Sequence, residues 1–127
     1  MLLYANDHQG RYPDTMGDLL EEDITTAVFV CPGSNDFPAT GATTQATAVD
    51  LYAGGHLSYL YFGKGLIGTP PATLILAHEP LANHQNKGMN VLFGDGHVEF
   101  ITPPAATMIL AELKAGHNPP RLNNLNP

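Results

Sequence analysis

At 127 residues the chain can bury one core without disulfides or metals to hold it. Only 13% of residues are charged, and 13 Gly and 11 Pro make for a neutral surface rich in turns and loops. The net charge of −7, with five scattered basic residues (Arg11, Lys64, Lys87, Lys114 and Arg121), excludes nucleic acid as a partner, and the single cysteine, Cys31, excludes an intrachain disulfide and Cys-rich zinc sites.

The chain opens on Met1-Leu-Leu-Tyr-Ala-Asn, which reads as the last turn of a helix, stopped by Asn6, Gly10 and Pro13. Asp14-Thr15 then offers an N-cap ahead of Met16, Leu19 and Leu20 at helical spacing, with Glu21 and Glu22 on the other side, so a short helix weakened by Gly17 is expected. The acidic stretch Asp18 to Asp23 reads as a solvated face of that helix. Ile24 to Cys31 is a β-branched apolar run that stops at Pro32-Gly33. Residues 33–56, rich in Ala, Thr and Gly and without periodicity, are expected to form a long surface loop.

Leu57 to Phe62 and Thr73 to His78 carry apolar residues on both faces, as inner strands of a small sheet do. The strongest local pattern is Asn90-Val-Leu-Phe-Gly-Asp-Gly-His-Val-Glu-Phe-Ile101, a hairpin with Asp95-Gly96 as a two-residue type I′ turn. That turn pairs Gly94 with His97, Phe93 with Val98, Leu92 with Glu99 and Val91 with Phe100, so Val91, Phe93, Val98 and Phe100 are expected on one apolar face. Thr102 is placed to cap a last helix with Pro103 at its first position, Ala106, Ile109, Leu110 and Leu113 as its apolar stripe, and Gly116 at C′. Residues 117–127 read as a tail. The whole is expected to be a single α+β domain over 1–127, in which Tyr59, Tyr61, Phe62, Phe93 and Phe100 belong to the core.

Candidate chemistry is sparse. His84, Asp95 and His97, with His78 and Glu79 nearby in sequence, are the one cluster with ligand types suited to zinc. Asp95 and His97 are already explained by turn geometry, so no metal and no other cofactor is expected. Ser34, Ser58 and Cys31 lack a nucleophile elbow or an adjacent base, and Cys31 reads as a small buried hydrophobe. Gly63-Lys64-Gly65 lacks the residues of a phosphate loop. No apolar run approaches the roughly 20 residues of a membrane helix, and no signal peptide is visible.

Several of these segments together resemble a known family. Met1-Leu-Leu-Tyr-Ala-Asn-Asp-His-Gln-Gly-Arg-Tyr-Pro13 is similar to the junction between the long N-terminal helix and the head of type II secretion pseudopilins. Phe29-Val-Cys-Pro32, Ser58-Tyr-Leu-Tyr61, His84 and Asn90 to Phe100 resemble the prepilin-type, processing-associated proteins named for a His followed, nine residues later, by Asp-Gly. Here ten residues, Gln85 to Gly94, separate His84 from Asp95. The resemblance implies a pilin-like head with a helix remnant, an antiparallel sheet of three or four strands including the 90–101 hairpin, and a C-terminal helix, with His84, Asp95, Gly96 and His97 as motif residues. It implies a structural subunit of an extracytoplasmic secretion or pilus assembly, periplasmic or at the cell surface, anchored by a membrane helix that also joins it to other pilin-like subunits. The sequence as given shows neither the leader nor that helix, as expected of a trimmed head or of a product that cannot assemble in the usual way, so the head as given is expected to be soluble and monomeric or weakly associated. The rival expectations are a small metal-dependent hydrolase using His84, Asp95 and His97, and a carbohydrate- or peptide-binding module using the 33–55 loop.

Overall fold

The computed structural model describes residues 2–22, 24–68 and 70–121; Met1 of the helix remnant, Asp23 of the acidic stretch and residues 122–127 of the tail lie outside the described residues. The fold is α+β, with a four-stranded antiparallel sheet in the sequential order β1 (Leu60–Tyr61), β2 (Ile75–His78), β3 (Met89–Phe93), β4 (Val98–Ile101). Among the described residues three α-helices accompany it: α1 (Leu2–Asp7), α2 (Thr44–Leu51) and α3 (Ala105–Lys114). No helix among the described residues is long and apolar enough to cross a membrane.

The sheet is covered on both faces. On one face Ala106 and Ile109 of α3 pack with Ile75, Met89, Val91 and Phe93. The opposite face meets α1 and the segment that follows it: Tyr4 clusters with Met16, Leu19, Phe29 and Ala77, and Ala5 with Tyr12, Leu74 and Leu76. A β-bulge makes this possible, because Ile75 pairs with Phe93 while Ala77 pairs with Leu92. The extra residue lets Leu76 and Ala77, neighbours in sequence, both face α1. Thus the unbroken apolar run of β2 reflects a bulge as well as two-sided burial.

Helix α3 ends as its sequence requires. Gly116 takes a φ of 88°, its N–H reaches the carbonyl of Leu113 at 3.0 Å, and the His117 N–H reaches that of Glu112 at 2.9 Å, a Schellman closure. The helix starts later than Thr102 and Pro103 suggest. A proline restricts the residue before it to extended conformations, so Pro104 keeps Pro103 out of the helix, and Thr102 contributes only its carbonyl, to the Ala106 N–H at 3.1 Å. The first residues of the tail are ordered by Asn118, whose amide accepts from Ile75 N–H and donates to Ile75 C=O, both at 2.8 Å.

Three further expectations are corrected. Residues 33–56 are not loop throughout: α2 lies inside them, capped by Thr43, whose hydroxyl accepts from Ala46 N–H at 3.0 Å, and it eluded the pattern because only Leu51 is buried. Leu60–Tyr61 is an edge strand, not an inner one. The short helix expected after Asp14-Thr15 forms as a 3₁₀ helix, Met16–Glu22, and a second 3₁₀ helix, Thr26–Phe29, lies in the apolar run that follows. The hairpin exists, but its register is one residue away from the type I′ alignment: Leu92 pairs with Val98, Val91 with Glu99 and Asn90 with Phe100.

The loop responsible spans three residues. Gly96 N–H bonds to Phe93 C=O and Phe93 N–H to His97 C=O, both at 2.9 Å, and only Gly96, at φ 92°, is left-handed. This is a type I turn closed by a G1 bulge. Gly94 is drawn out of the ladder by the 70–74 segment, donating to Leu74 C=O at 2.8 Å, and a Cβ on it would stand 2.3 Å from the Pro71 carbonyl oxygen. A shift of one residue exchanges the faces of a strand. Val98 and Phe100 therefore leave the α3 face, and Phe100 is half exposed rather than in the core.

Candidate functional site

The exchange of faces brings Phe100 into a row with Asn90, and Glu79 stands beside Asn90 at the end of β2, donating its N–H to Asn90 C=O at 3.3 Å. Glu79 is completely buried. Its Oε1 accepts from Asn90 N–H at 2.7 Å, Asn90 Nδ2 at 2.8 Å and His84 Nε2 at 2.7 Å, while Oε2 has a longer contact with Asn83 Nδ2 at 3.5 Å. Burial pushes the carboxyl up; hydrogen bonds from the Cys31 thiol, Asn90 and Asn83 outweigh it and hold Glu79 below the usual carboxylate range.

Cys31 reaches the same point from the other side. It is 2% exposed, and its Sγ lies 3.3 Å from His84 Nε2. The turn after it is tightly held: Ser34 N–H and Oγ both donate to Cys31 C=O, at 2.9 and 2.7 Å. Buried Ser58 accepts from Cys31 N–H and donates to Asp36 Oδ2, both at 2.8 Å. Burial pushes the thiol up and the Glu79 carboxylate adds to this, so Cys31 is a protonated thiol at neutral pH.

His84 closes the cluster from the 3₁₀ helix Leu81–His84. Its ring stands edge-on to Phe100, with centroids 5.3 Å apart. Gly33 passes so close that a Cβ on it would meet Asn83 O at 2.6 Å and the ring's Cε1 at 3.1 Å. The glycine of Cys-Pro-Gly thus makes room for the imidazole. Among the described residues, Cys31, Glu79 and His84 form a group with three potential ligand atoms all within 4.8 Å of one another.

Asp95 and His97 stand apart from this cluster. Asp95 Oδ1 accepts from His97 N–H at 3.1 Å and from the His97 ring, whose other nitrogen faces Glu99 at 3.2 Å. The ring stacks on Phe93 with centroids 4.5 Å apart. These contacts brace the turn, and the group of potential ligand atoms found among the described residues does not include Asp95 or His97, which the rival hydrolase reading would join to His84. His78 is buried and spends its Nδ1–H on the Glu79 carbonyl at 3.0 Å. Ser34 and Ser58 serve the Cys31 turn, and among the described residues neither has a histidine partner.

No family model, curated protein or solved structure matches the chain. The site therefore has to be read from its own chemistry. It is a buried carboxylate ringed by donors, joining the Cys31 turn, the end of β2 and the His84 loop. Beside it, on the same face of the sheet, an apolar cavity of about 490 Å³ opens between Phe29, Tyr59, Ala77 and Leu92. Sequence reasoning treated Cys31 as filler and weighed Glu79 only beside the histidines. The available signal was a glutamate directly after the apolar run that forms β2, since a buried charge is kept only where partners meet it.

Proposed function

We propose that the chain is the head of a pilin-like subunit, a structural component of an extracytoplasmic secretion or pilus assembly rather than an enzyme. The observation that carries this reading is the way α1 is seated. Tyr4 and Ala5 are both buried, each in a different apolar cluster on one face of the sheet. Beyond the helix the chain is tied down again, by Tyr12 N–H to Leu66 C=O at 3.0 Å and by an antiparallel bridge between Arg11 and Ile67. A helix seated in this way is a rigid base, so a rod continued from it would keep a fixed direction relative to the head. The Tyr-Ala of the junction resemblance thereby acquires a mechanical role.

The test is assembly. The chain, joined behind a prepilin leader and apolar helix in a cell with a working pilus machine, should be processed and recovered in the sheared filament fraction. Ala5→Asp, which puts a charge into the apolar cluster, should unseat the helix and lower that recovery. A processed, folded head that never leaves the membrane fraction would count against the reading. The hydrolase reading needs His84, Asp95 and His97 on one ion, whereas the group of potential ligand atoms among the described residues joins His84 to Cys31 and Glu79.

A further inference from the structure

We propose that Cys31 Sγ, the Glu79 carboxylate and His84 Nε2 form a binding site for a single divalent transition-metal ion of the zinc class. The inference stands without the pilin-like reading and concerns a different part of the molecule. Thiolate, imidazole and carboxylate are the ligand types that zinc and similar borderline ions take, and here they come from three separate segments. Bond lengths of roughly 2.0–2.3 Å at tetrahedral angles place neighbouring ligand atoms about 3.3–3.6 Å apart. Cys31 Sγ and His84 Nε2 are already 3.3 Å apart, and His84 Nε2 and Glu79 Oε1 are 2.7 Å apart. The second pair must open by about half an ångström, and the His84 side chain, 28% exposed, has solvent on one side to move into.

Charge gives a further reason. Among the described residues no lysine or arginine pairs with the fully buried Glu79, whose ion-pair partner is His84 alone. The carboxylate is held by hydrogen bonds from Asn90, and His84 Nε2 stands against both Glu79 Oε1 and Cys31 Sγ, so the three ligand atoms gather where a cation would sit. A divalent ion displacing the thiol proton would face one thiolate and one carboxylate, leaving the buried cluster without net charge. The surroundings are those of an oriented ligand set: Asn90 fixes Oε1 through two hydrogen bonds, Ser58 and Ser34 hold the Cys31 turn, and Gly33 and Phe100 hold the imidazole. Three protein ligands leave the fourth position of a tetrahedral ion to water.

The test uses tag-free full-length chain, stripped with chelator and titrated with Co²⁺ as an optical probe, then with Zn²⁺ in competition. One Co²⁺ per chain should bind with a thiolate-to-metal charge-transfer band and release of about one proton, and Zn²⁺ should bleach the band. Cys31→Ala should abolish the band, and His84→Ala and Glu79→Gln should each weaken binding by about 10-fold or more. Asp95→Asn and His97→Ala should leave binding unchanged. His84→Ala removes a part-exposed ring, so it stays informative if Glu79→Gln fails to fold. A folded wild-type chain with no charge-transfer band in excess Co²⁺, or with affinity unaltered by His84→Ala, would overturn the proposal.

Discussion

Replacing Glu79 by alanine should be among the most damaging substitutions in the chain, measured on metal-stripped protein. The side chain is 0% exposed, and its Oε1 is the acceptor for two short hydrogen bonds from Asn90. Each buried donor left without a partner costs about 1–3 kcal/mol. Asn90 is only part-buried and the His84 ring can turn to solvent, which relieves some of this loss. The expected destabilisation is therefore about 3–5 kcal/mol, the range for breaking one side of a buried pair. With an unfolding entropy of roughly 2 cal/mol/K per residue, this lowers Tm by roughly 10–20 °C. Glu79→Gln keeps an oxygen for Asn90 and should cost only about 1–2 kcal/mol. Urea and thermal unfolding followed by circular dichroism separate the two variants. Glu79→Ala within about 1 kcal/mol of wild type would refute the claim that this carboxylate holds three segments together.

The turn offers a pH prediction. The His97 side chain holds Asp95 below its usual range, and Asp95, then Glu99, hold His97 above its own. The Asp95 contribution is present above about pH 4 and lost as pH falls through its lowered folded value; that of His97 is present below about pH 6.5 and lost as pH rises through its raised one. NMR titration should thus show the turn best ordered between these limits, and Asp95→Asn should bring the His97 midpoint down. Gly96→Val should cost on the order of 1–2 kcal/mol, because Gly96 sits at φ 92°; an unchanged unfolding midpoint would remove the turn assignment. Asn118→Ala should cost about 1–3 kcal/mol, because it strips both peptide partners from fully buried Ile75, and faster hydrogen exchange at the Ile75 amide would report it.

How far the fold was legible varies from element to element. Gly116 and the Ala106–Ile109 stripe mark α3 from composition alone, because a left-handed C′ residue and an apolar face are local demands. The Asp-Gly hairpin was equally plain, yet its register was not. Both loop types place Gly96 at positive φ, and what chooses between them is Gly94 packing on Pro71, a contact made by another segment. The bulge in β2 is invisible for a similar reason: Leu76 and Ala77 look like any apolar pair until α1 offers both of them a surface. Helix α2 has the opposite problem, being so largely exposed that no apolar period marks it.

By itself, the sequence determined what each short stretch can do: where the chain turns, which runs are apolar enough to be covered, and that no basic patch or cysteine framework exists. These are properties of backbone geometry and solvation acting over a few residues. Only the tertiary structure decided which side chains meet. Cys31, Glu79 and His84 belong to three segments, and no local rule aligns a turn after a 3₁₀ helix, the end of a strand and a loop beyond it. Their convergence follows from long-range choices, the hairpin register that brings Phe100 to the His84 ring and the close approach that Gly33 permits. Packing settles such choices because a slip of one residue costs nothing in local conformation yet exchanges every face that must be buried.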